Sequence, residues 1–360
     1  MHHWAVRKVD GLPSPEGVLG WILMNVSLRP VSGTARELYP VLADWVRDGG
    51  DPIMVRTSGS TGAPKDVVLS HAAVIASARA SLDRLGGPGQ WISALPPTAV
   101  GGLQVLVRSV LADAEPVVAD EHASIPAAIA VMTGGRRYAS FVPTQLFRLL
   151  ASEEATALAG LDAVLLGGAA APADLLRRAE TLGIRIVRTY GMSETSGGCV
   201  YDGVPLDGAR MRISADGRVE LAGPMLFEGY GEESRSDEWF TTSDVGEIVD
   251  GRLRIAGRAD EIIVSGGVNV PLPAVAEALR AAPGVEDVAV TGVPDAEWGT
   301  RVVAVVVGTA DLEDLRDAVE TAGHPRSWAP RARVLVDALP LLPGGKLDRL
   351  AVRTMAAGRT

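Results

Sequence analysis

Thr57-Ser58-Gly59-Ser60-Thr61-Gly62-Ala63-Pro64-Lys65 is the stretch from which the fold can be read. It follows a short apolar run, Ile53-Met54-Val55, so the run reads as a strand and the polar stretch as the turn leaving it. Gly59 and Gly62 let the backbone approach a ligand closely and aim consecutive N–H groups into one concavity. The hydroxyls of Thr57, Ser58, Ser60 and Thr61 add donors, and Lys65 adds a mobile positive charge; together they describe a site for phosphate oxygens. The common P-loop spacing fails, because Gly59 and Gly62 are three apart and Lys65 does not follow a glycine. Taken alone, a surface loop rich in Gly, Ser and Thr is the simpler reading. The motifs farther along the chain reverse it.

Downstream, strand-like runs at Trp91–Leu95, Ala139–Val142, Ala163–Leu166 and Ile184–Val187 alternate with helix-like stretches at about 71–85, 102–112, 143–152 and 172–182. That alternation predicts an α/β domain with a mostly parallel sheet, whose ligands collect beyond the strand C-termini. Three loops stand out there. Gly167-Gly168-Ala169-Ala170-Ala171-Pro172 is small enough for a flat ring to lie against backbone. Tyr190-Gly191-Met192-Ser193-Glu194-Thr195-Ser196-Gly197-Gly198 combines a stacking ring, hydroxyls and a carboxylate able to ligate Mg²⁺. Thr241-Thr242-Ser243-Asp244 places an acid at a turn, where it could bind a ribose diol or simply close an Asx turn. Singly, each residue has an ordinary structural explanation.

At Gly257-Arg258-Ala259-Asp260 the texture changes. Pro271 to Ala282 reads as an amphipathic helix, followed by strands at about 287–292 and 302–307, a helix at 311–322 and a strand at 333–336. The tail carries Gly344-Gly345-Lys346-Leu347-Asp348-Arg349. The expected organisation is a large domain over 1–258, a small α+β domain over 261–360, and a hinge at Asp260.

Composition narrows the function. The chain has 360 residues, a single cysteine, Cys199, and a net charge of −10. Nucleic-acid binding, which needs a basic face, is disfavoured. No apolar run approaches a membrane span of about 18 residues. The N-terminus lacks the basic flank and apolar segment of a signal peptide, and one cysteine suits a reducing interior, so the expectation is a cytoplasmic protein. Lysine occurs only at positions 8, 65 and 346, so 31 of 34 basic residues are arginine and two of the three lysines lie in glycine-rich loops. Either a compact, mobile ammonium is needed there or three lysines have fallen so by chance.

These motifs, in this order, resemble the acyl-adenylate-forming enzymes, the superfamily of acyl-CoA synthetases, adenylation domains and luciferases. Thr57–Lys65 is similar to the phosphate loop, and Tyr190–Glu194 to the Y-G-x-T-E segment with serine for threonine. Asp244 matches the ribose-binding aspartate, Gly257–Asp260 the G-R-x-D hinge, and Gly344–Arg349 the C-terminal G-K-[IL]-x-R. The looser stretches Ser140–Leu150 and Gly102–Ser109 are most similar to the o-succinylbenzoyl-CoA synthetase branch of menaquinone biosynthesis. Two departures accompany the likeness. The phosphate loop begins early, which implies a reduced N-terminal subdomain, and Ala99 stands where L-P-x-x-H-x-x-G has histidine.

The resemblance implies an adenylate-forming fold, with a large α/β domain and a small mobile α+β domain, and with ATP, Mg²⁺ and CoA as partners. Lys346 would bridge the attacking carboxylate and the α-phosphate, and Ser193 would reach that phosphate. Mg²⁺ would lie on Glu194, pyrophosphate in Thr57–Lys65, adenine between Tyr190-Gly191 and Gly168-Ala169, and ribose on Asp244 and Arg258. Arg108, Gly197 and Gly198 are candidates for the acid, and Asp260 for the pivot between half-reactions. Alternatives are a ligase for another acid, a domain loading a carrier protein, or a nucleotide-binding protein without catalysis. Family members are often dimers, but nothing in the composition shows a homodimer.

Overall fold

The computed structural model describes residues 26–57, 64–341 and 347–358, and this chain divides into two compact units, 1–199 with 224–236 and 200–223 with 237–360. The first unit opens on a short ribbon, β1 (Ser27–Leu28) and β2 (Val31–Ser32), and helix α1 (Ala35–Asp48). Thr34 and Glu37 cap α1 reciprocally: Glu37 Oε2 accepts the Thr34 N–H at 2.8 Å and Thr34 Oγ1 accepts the Glu37 N–H at 3.4 Å. Leu38, Leu42 and Trp45 form its buried face.

A hairpin follows, β3 (Ile53–Thr57) and β4 (Lys65–Leu69), then α2 (His71–Leu85) and β5 (Gln90–Ser93). Next come α3 (Val100–Leu111), β6 (Val117–Val118), α4 (Ile125–Ala130), β7 (Arg137–Phe141) and α5 (Pro143–Leu150). The alternation ends with β8 (Ala163–Leu166), α6 (Ala173–Thr181), β9 (Ile186–Met192) and β10 (Gly197–Tyr201). In the sheet the order is β10-β9-β8-β7-β5-β6, and every pairing from β9 to β6 is parallel. A parallel sheet covered by helices needs strands apolar on both faces, and Ala163–Leu166 is wholly buried. Ile92, Phe141, Leu146, Val164, Leu166 and Leu175 belong to one core cluster. The expected parallel α/β arrangement is what the chain builds.

Beyond β10 the chain pairs Val200 and Tyr201 with β11 (Val204–Pro205) and lays down β12 (Arg210–Ile213) and β13 (Arg218–Ala222). It returns to the first unit for β14 (Gly229–Tyr230) and β15 (Glu233–Ser234), which extend the first hairpin into a sheet of order β15-β14-β4-β3. β16 (Phe240–Val249) and β17 (Arg252–Arg258) complete an antiparallel sheet with β12 and β13.

The rest of the second unit is α+β. A hairpin, β18 (Ile262–Ser265) and β19 (Val268–Pro271), precedes α7 (Leu272–Leu279), β20 (Val285–Asp295), β21 (Gly299–Gly308), α8 (Leu312–Thr321), β22 (Ala332–Val336) and α9 (Arg349–Ala357). β21 is central, antiparallel to β20 and parallel to β22. Its run Val302–Val306 is buried throughout. Val302, Ala304 and Val306 belong to the cluster with Val275, Leu279 and Leu315, and Val303 and Val305 to the one with Val334, Val352 and Ala356. The period of two puts one core on each face of the strand.

No helix among the described residues is long and apolar enough to cross a membrane.

Helix α8 offers a test of local design. The Asp311 carboxylate accepts the N–H groups of Glu313 and Asp314, each at 2.9 Å. Asp311→Ala should lower stability by about 1 kcal/mol in a denaturant titration, whereas Asp311→Ser should retain most of it.

Candidate active site

The phosphate-loop candidate is closed at its base. Thr57 and Lys65 are cross-strand partners in the β3–β4 hairpin, and Thr57 Oγ1 donates to the Lys65 carbonyl at 3.2 Å. One step back, Arg56 forks onto Asp66 at 2.8 and 2.9 Å, and this pairing holds the Asp66 carboxyl below its ordinary range. Ser58, Gly59, Ser60, Thr61 and Gly62 lie outside the described residues. The Lys65 side chain is exposed, its ammonium 4.8 Å from the centre of the Tyr230 ring.

The second element leaves the C-terminal end of β9. Tyr190 is half-buried on that strand, and at Gly191 a Cβ would come within 2.1 Å of the Gly197 carbonyl oxygen, so only glycine fits. Ser193–Thr195 then makes a single 3₁₀ turn, and Ser196 adopts φ 50° to reverse the chain into β10. A buried knot fixes this reversal. The Ser196 carbonyl accepts from Ser77 Oγ at 2.9 Å and from Gln104 Nε2 at 2.8 Å, while its own hydroxyl donates to the Met225 carbonyl at 2.9 Å. Gln104 gives its other amide hydrogen to Val74 at 3.2 Å. Thr195 Oγ1 accepts the Met192 N–H at 2.9 Å and sits 2.7 Å from the Gly197 carbonyl. Gly198 is half-buried beside it.

Glu194 leaves this turn toward β14. Its Oε1 accepts the Tyr230 hydroxyl at 2.9 Å, and its carbonyl accepts the Phe227 N–H at 2.9 Å. Burial first, and then the adjoining carboxylate, push the Tyr230 phenol well above its ordinary range. Among the described residues no group of three or more His, Cys, Asp and Glu could hold a metal on its own. A single carboxylate of this kind suits Mg²⁺, which is commonly held by one or two protein carboxylates together with substrate phosphates.

Gly168 and Ala169 are exposed just past β8, next to the strand that carries Tyr190. Gly167 admits no side chain either, because a Cβ would meet Thr189 Oγ1 at 2.2 Å. Arg108 is buried in α3. Its guanidinium stacks 4.4 Å from the Trp91 ring centre and its Nε donates to the Gln104 carbonyl at 2.8 Å, so it packs α3 against β5.

In the second unit, Asp244 and Arg258 are direct cross-strand partners of the β16–β17 hairpin, so two residues 14 apart in sequence stand side by side. Asp260 falls in the 3₁₀ turn Ala259–Glu261. The neighbouring Glu261 pairs with Arg349, the arginine that ends the C-terminal motif. Lys346 lies outside the described residues. The segment carrying it is closed at its base by a bridge between Leu341 and Leu347 and by the Asp348 N–H bonding the Pro340 carbonyl at 2.9 Å.

Family comparison agrees with this arrangement. Residues 50–230 match the AMP-binding enzyme model, and residues 274–346 match the model of the AMP-binding enzyme C-terminal domain. The chain belongs to the AMP-binding enzyme family. A probable 2-succinylbenzoate–CoA ligase of Mycobacterium tuberculosis is 47% identical over 325 residues, covering 85% of each chain. Among solved structures, o-succinylbenzoate CoA synthetase (MenE) of Bacillus subtilis, in complex with its acyl-adenylate intermediate, is 26% identical with a TM-score of 0.73. That match covers 83% of this chain and 68% of the other. ATP-bound MatB of Rhodopseudomonas palustris is 27% identical, also with a TM-score of 0.73, covering 84% and 67%. The large-plus-small adenylate-forming architecture follows from these likenesses.

Ser77 and Tyr230 lie outside every motif, and Gln104 and Ser196 lie within quoted stretches whose patterns do not show their structural role. Their partners are 29 to 119 residues away, and no local pattern reports such a pairing. Gln104→Leu should cost roughly 1–3 kcal/mol, since it strips a buried carbonyl of one partner, and ATP binding should weaken with it. Denaturant titration and equilibrium binding measure the two. Cys199, buried in the middle of β10, has its thiol pushed up to about 12 by desolvation. The native protein should therefore resist iodoacetamide at pH 8 and react only after unfolding, as mass spectrometry would show.

Proposed function

We propose that this chain is an ATP-dependent acid–thiol ligase that makes o-succinylbenzoyl-CoA, AMP and pyrophosphate from o-succinylbenzoate, ATP and CoA, in menaquinone biosynthesis. The observation that carries the chemistry is that Tyr230 touches both Glu194, through its hydroxyl, and Lys65, over its ring face. A metal-binding acid and a phosphate-binding lysine are thereby held on neighbouring loops of one unit. The acid is argued from the 47% identical relative whose name specifies it.

In the first half-reaction a carboxylate oxygen of the acid attacks the α-phosphorus, the bond to the β-phosphate breaks, and pyrophosphate leaves. Two anions approach one another, so cations and oriented donors dominate the barrier. Lys346 is assigned to the space between the attacking carboxylate and the α-phosphate, and Ser193 to that phosphate. Ser58, Ser60, Thr61 and Lys65 receive the departing pyrophosphate. Mg²⁺, when bound, neutralises charge on the phosphate oxygens, and Glu194 is the residue offered to hold it. Tyr190 stacks on adenine, with Asp244 and Arg258 assigned to the ribose. In the second half-reaction the CoA thiol attacks the acyl carbon, the bond to AMP breaks, and the thiol proton is released.

A large domain over 1–258, a small one over 261–360 and a pivot at Asp260 are retained as part of this reading. The pivot exchanges Lys346 for the Ser265-Gly266-Gly267 turn between half-reactions. A cytoplasmic location also belongs to it, on the strength of the lone reduced cysteine. One rival keeps the mechanism and changes the acid, because ATP-bound MatB has the same TM-score as the o-succinylbenzoate enzyme.

The test is a coupled assay with ATP, Mg²⁺ and CoA, offering o-succinylbenzoate, benzoate or octanoate. Thioester and AMP should form with o-succinylbenzoate only. Lys346→Ala should lower the rate of adenylate formation by about two to three orders of magnitude, as loss of a transition-state donor does. Turnover of a different acid would retain the mechanism and remove the pathway, and ATP binding without turnover would sink the ligase reading.

A further inference from the structure

Tyr230 belongs to none of the motifs that identify the chain, yet it touches two of them. Its hydroxyl donates to Glu194 Oε1 at 2.9 Å, and its ring face lies 4.8 Å from the Lys65 ammonium. Both contacts follow from how the sheet is built. β14 pairs antiparallel to β4 with Tyr230 opposite Val67, two residues from Lys65. The Phe227 N–H bonds the Glu194 carbonyl at 2.9 Å, which fixes the start of the same segment to the 3₁₀ turn. Phe227 also packs on the Tyr230 ring, centroid to centroid 4.9 Å at 59°, and so limits its rotation. The ring therefore has one aromatic neighbour, one cation and one carboxylate, each from a different part of the chain.

We propose that Tyr230 is a positioning residue for adenylation, its hydroxyl orienting the Glu194 carboxylate toward the metal and its ring seating the Lys65 ammonium for phosphate. This rests on the reading of Glu194 as the Mg²⁺-holding acid. A carboxylate has two oxygens, and a hydrogen bond to Oε1 leaves Oε2 to the metal while removing the freedom of the group to rotate. Partners of this kind behind a metal ligand typically govern affinity by 10- to 100-fold. A ring face attracts an ammonium without consuming any of its three donors, so Lys65 keeps all of them for phosphate oxygens. Phenol and ring thus act on different ligands, which makes the two roles separable.

The experiment is equilibrium binding of ATP to the full chain by calorimetry, once over a Mg²⁺ titration and once in EDTA. Wild type and Glu194→Gln come first. If ATP affinity is independent of Mg²⁺ in the wild type, or Glu194→Gln leaves the dependence unchanged, the reading of Glu194 is wrong and the proposal goes with it. If Glu194→Gln weakens Mg²⁺ use, Tyr230→Phe should raise the Mg²⁺ midpoint about tenfold while leaving affinity in EDTA unchanged. Tyr230→Leu should in addition weaken binding in EDTA. In the Glu194→Gln background, Tyr230→Phe should add nothing. A Tyr230→Phe protein with a wild-type Mg²⁺ midpoint, or one whose effect is additive with Glu194→Gln, overturns the proposal alone. Should the variants fold poorly, 3-fluorotyrosine placed at position 230 of the otherwise native chain supplies the readout. Its ¹⁹F resonance should shift on adding ATP with Mg²⁺ more than on adding ATP in EDTA, and equal shifts would overturn the assignment.

Discussion

The Ser196 carbonyl is the constraint on which the candidate site depends. A buried carbonyl oxygen has two lone pairs, and here both are taken, one by Ser77 from α2 and one by Gln104 from α3. Two helices that cover the parallel sheet thereby grip the loop that leaves its β9 strand. That loop could not reverse so tightly without Ser196 at φ 50°, a conformation disfavoured for a residue with a side chain and held only when its surroundings specify it. The hydrogen bonds of Ser196, including that of its own N–H to the Ser193 carbonyl at 3.0 Å, supply that specification. Glu194 stands two residues before this fixed point, so the orientation of its side chain inherits the rigidity of the core.

From that anchor the first unit can be followed outward to the phosphate loop. The Ser196 hydroxyl binds Met225, Glu194 binds Phe227 and Tyr230, and Tyr230 lies in the strand paired with β4, at whose start Lys65 stands. The chain of contacts is short, and the entropy of ordering its groups is lost on folding rather than when a ligand binds. The side chains that the proposed function assigns to the nucleotide are thus held by elements ordered without it. Preorganisation of this kind is what electrostatic catalysis of phosphoryl and adenylyl transfer requires.

Much of this was legible in the residues, and what was not has a physical reason. The α/β alternation was plain because buried parallel strands are written as continuous apolar runs, as at Ala163–Leu166, and because α2 and α5 begin at Ser70 and Pro143, both good starting residues. Helix α1 could have been found as well, since Thr34 and Glu37 make a capping box before Leu38 and Leu42. The hairpin β18–β19 is harder, as Ser265-Gly266-Gly267 reads as a loop until its flanks pair. Arg108 illustrates the opposite difficulty. Its place on the helix after a substrate-like loop marks it as a candidate for the acid, and the packing role it also has, on the Trp91 ring, involves a strand that the spacing of α3 cannot reveal. Contacts made across tens of residues, such as those of Ser77 and Tyr230, leave no periodic trace.

Lysine usage and loop geometry point to one design used twice. This chain writes arginine almost everywhere, and two of its three lysines belong to glycine-rich segments closed at their bases by antiparallel pairing. In one, Thr57 faces Lys65; in the other, Leu341 faces Leu347, with Asp348 bonded back to Pro340 and capping α9 through the Ala351 N–H at 3.0 Å. An arginine in these positions would demand a planar, two-pronged partner, whereas an ammonium can follow an oxygen as its bonding changes. Adenylation moves charge from an acid and an α-phosphate to a leaving pyrophosphate, so the acceptors are not fixed in direction. On the proposed reading a compact cation meets that requirement better than a rigid fork, which gives a physical reason for lysine at 65 and 346 in a chain that otherwise uses arginine.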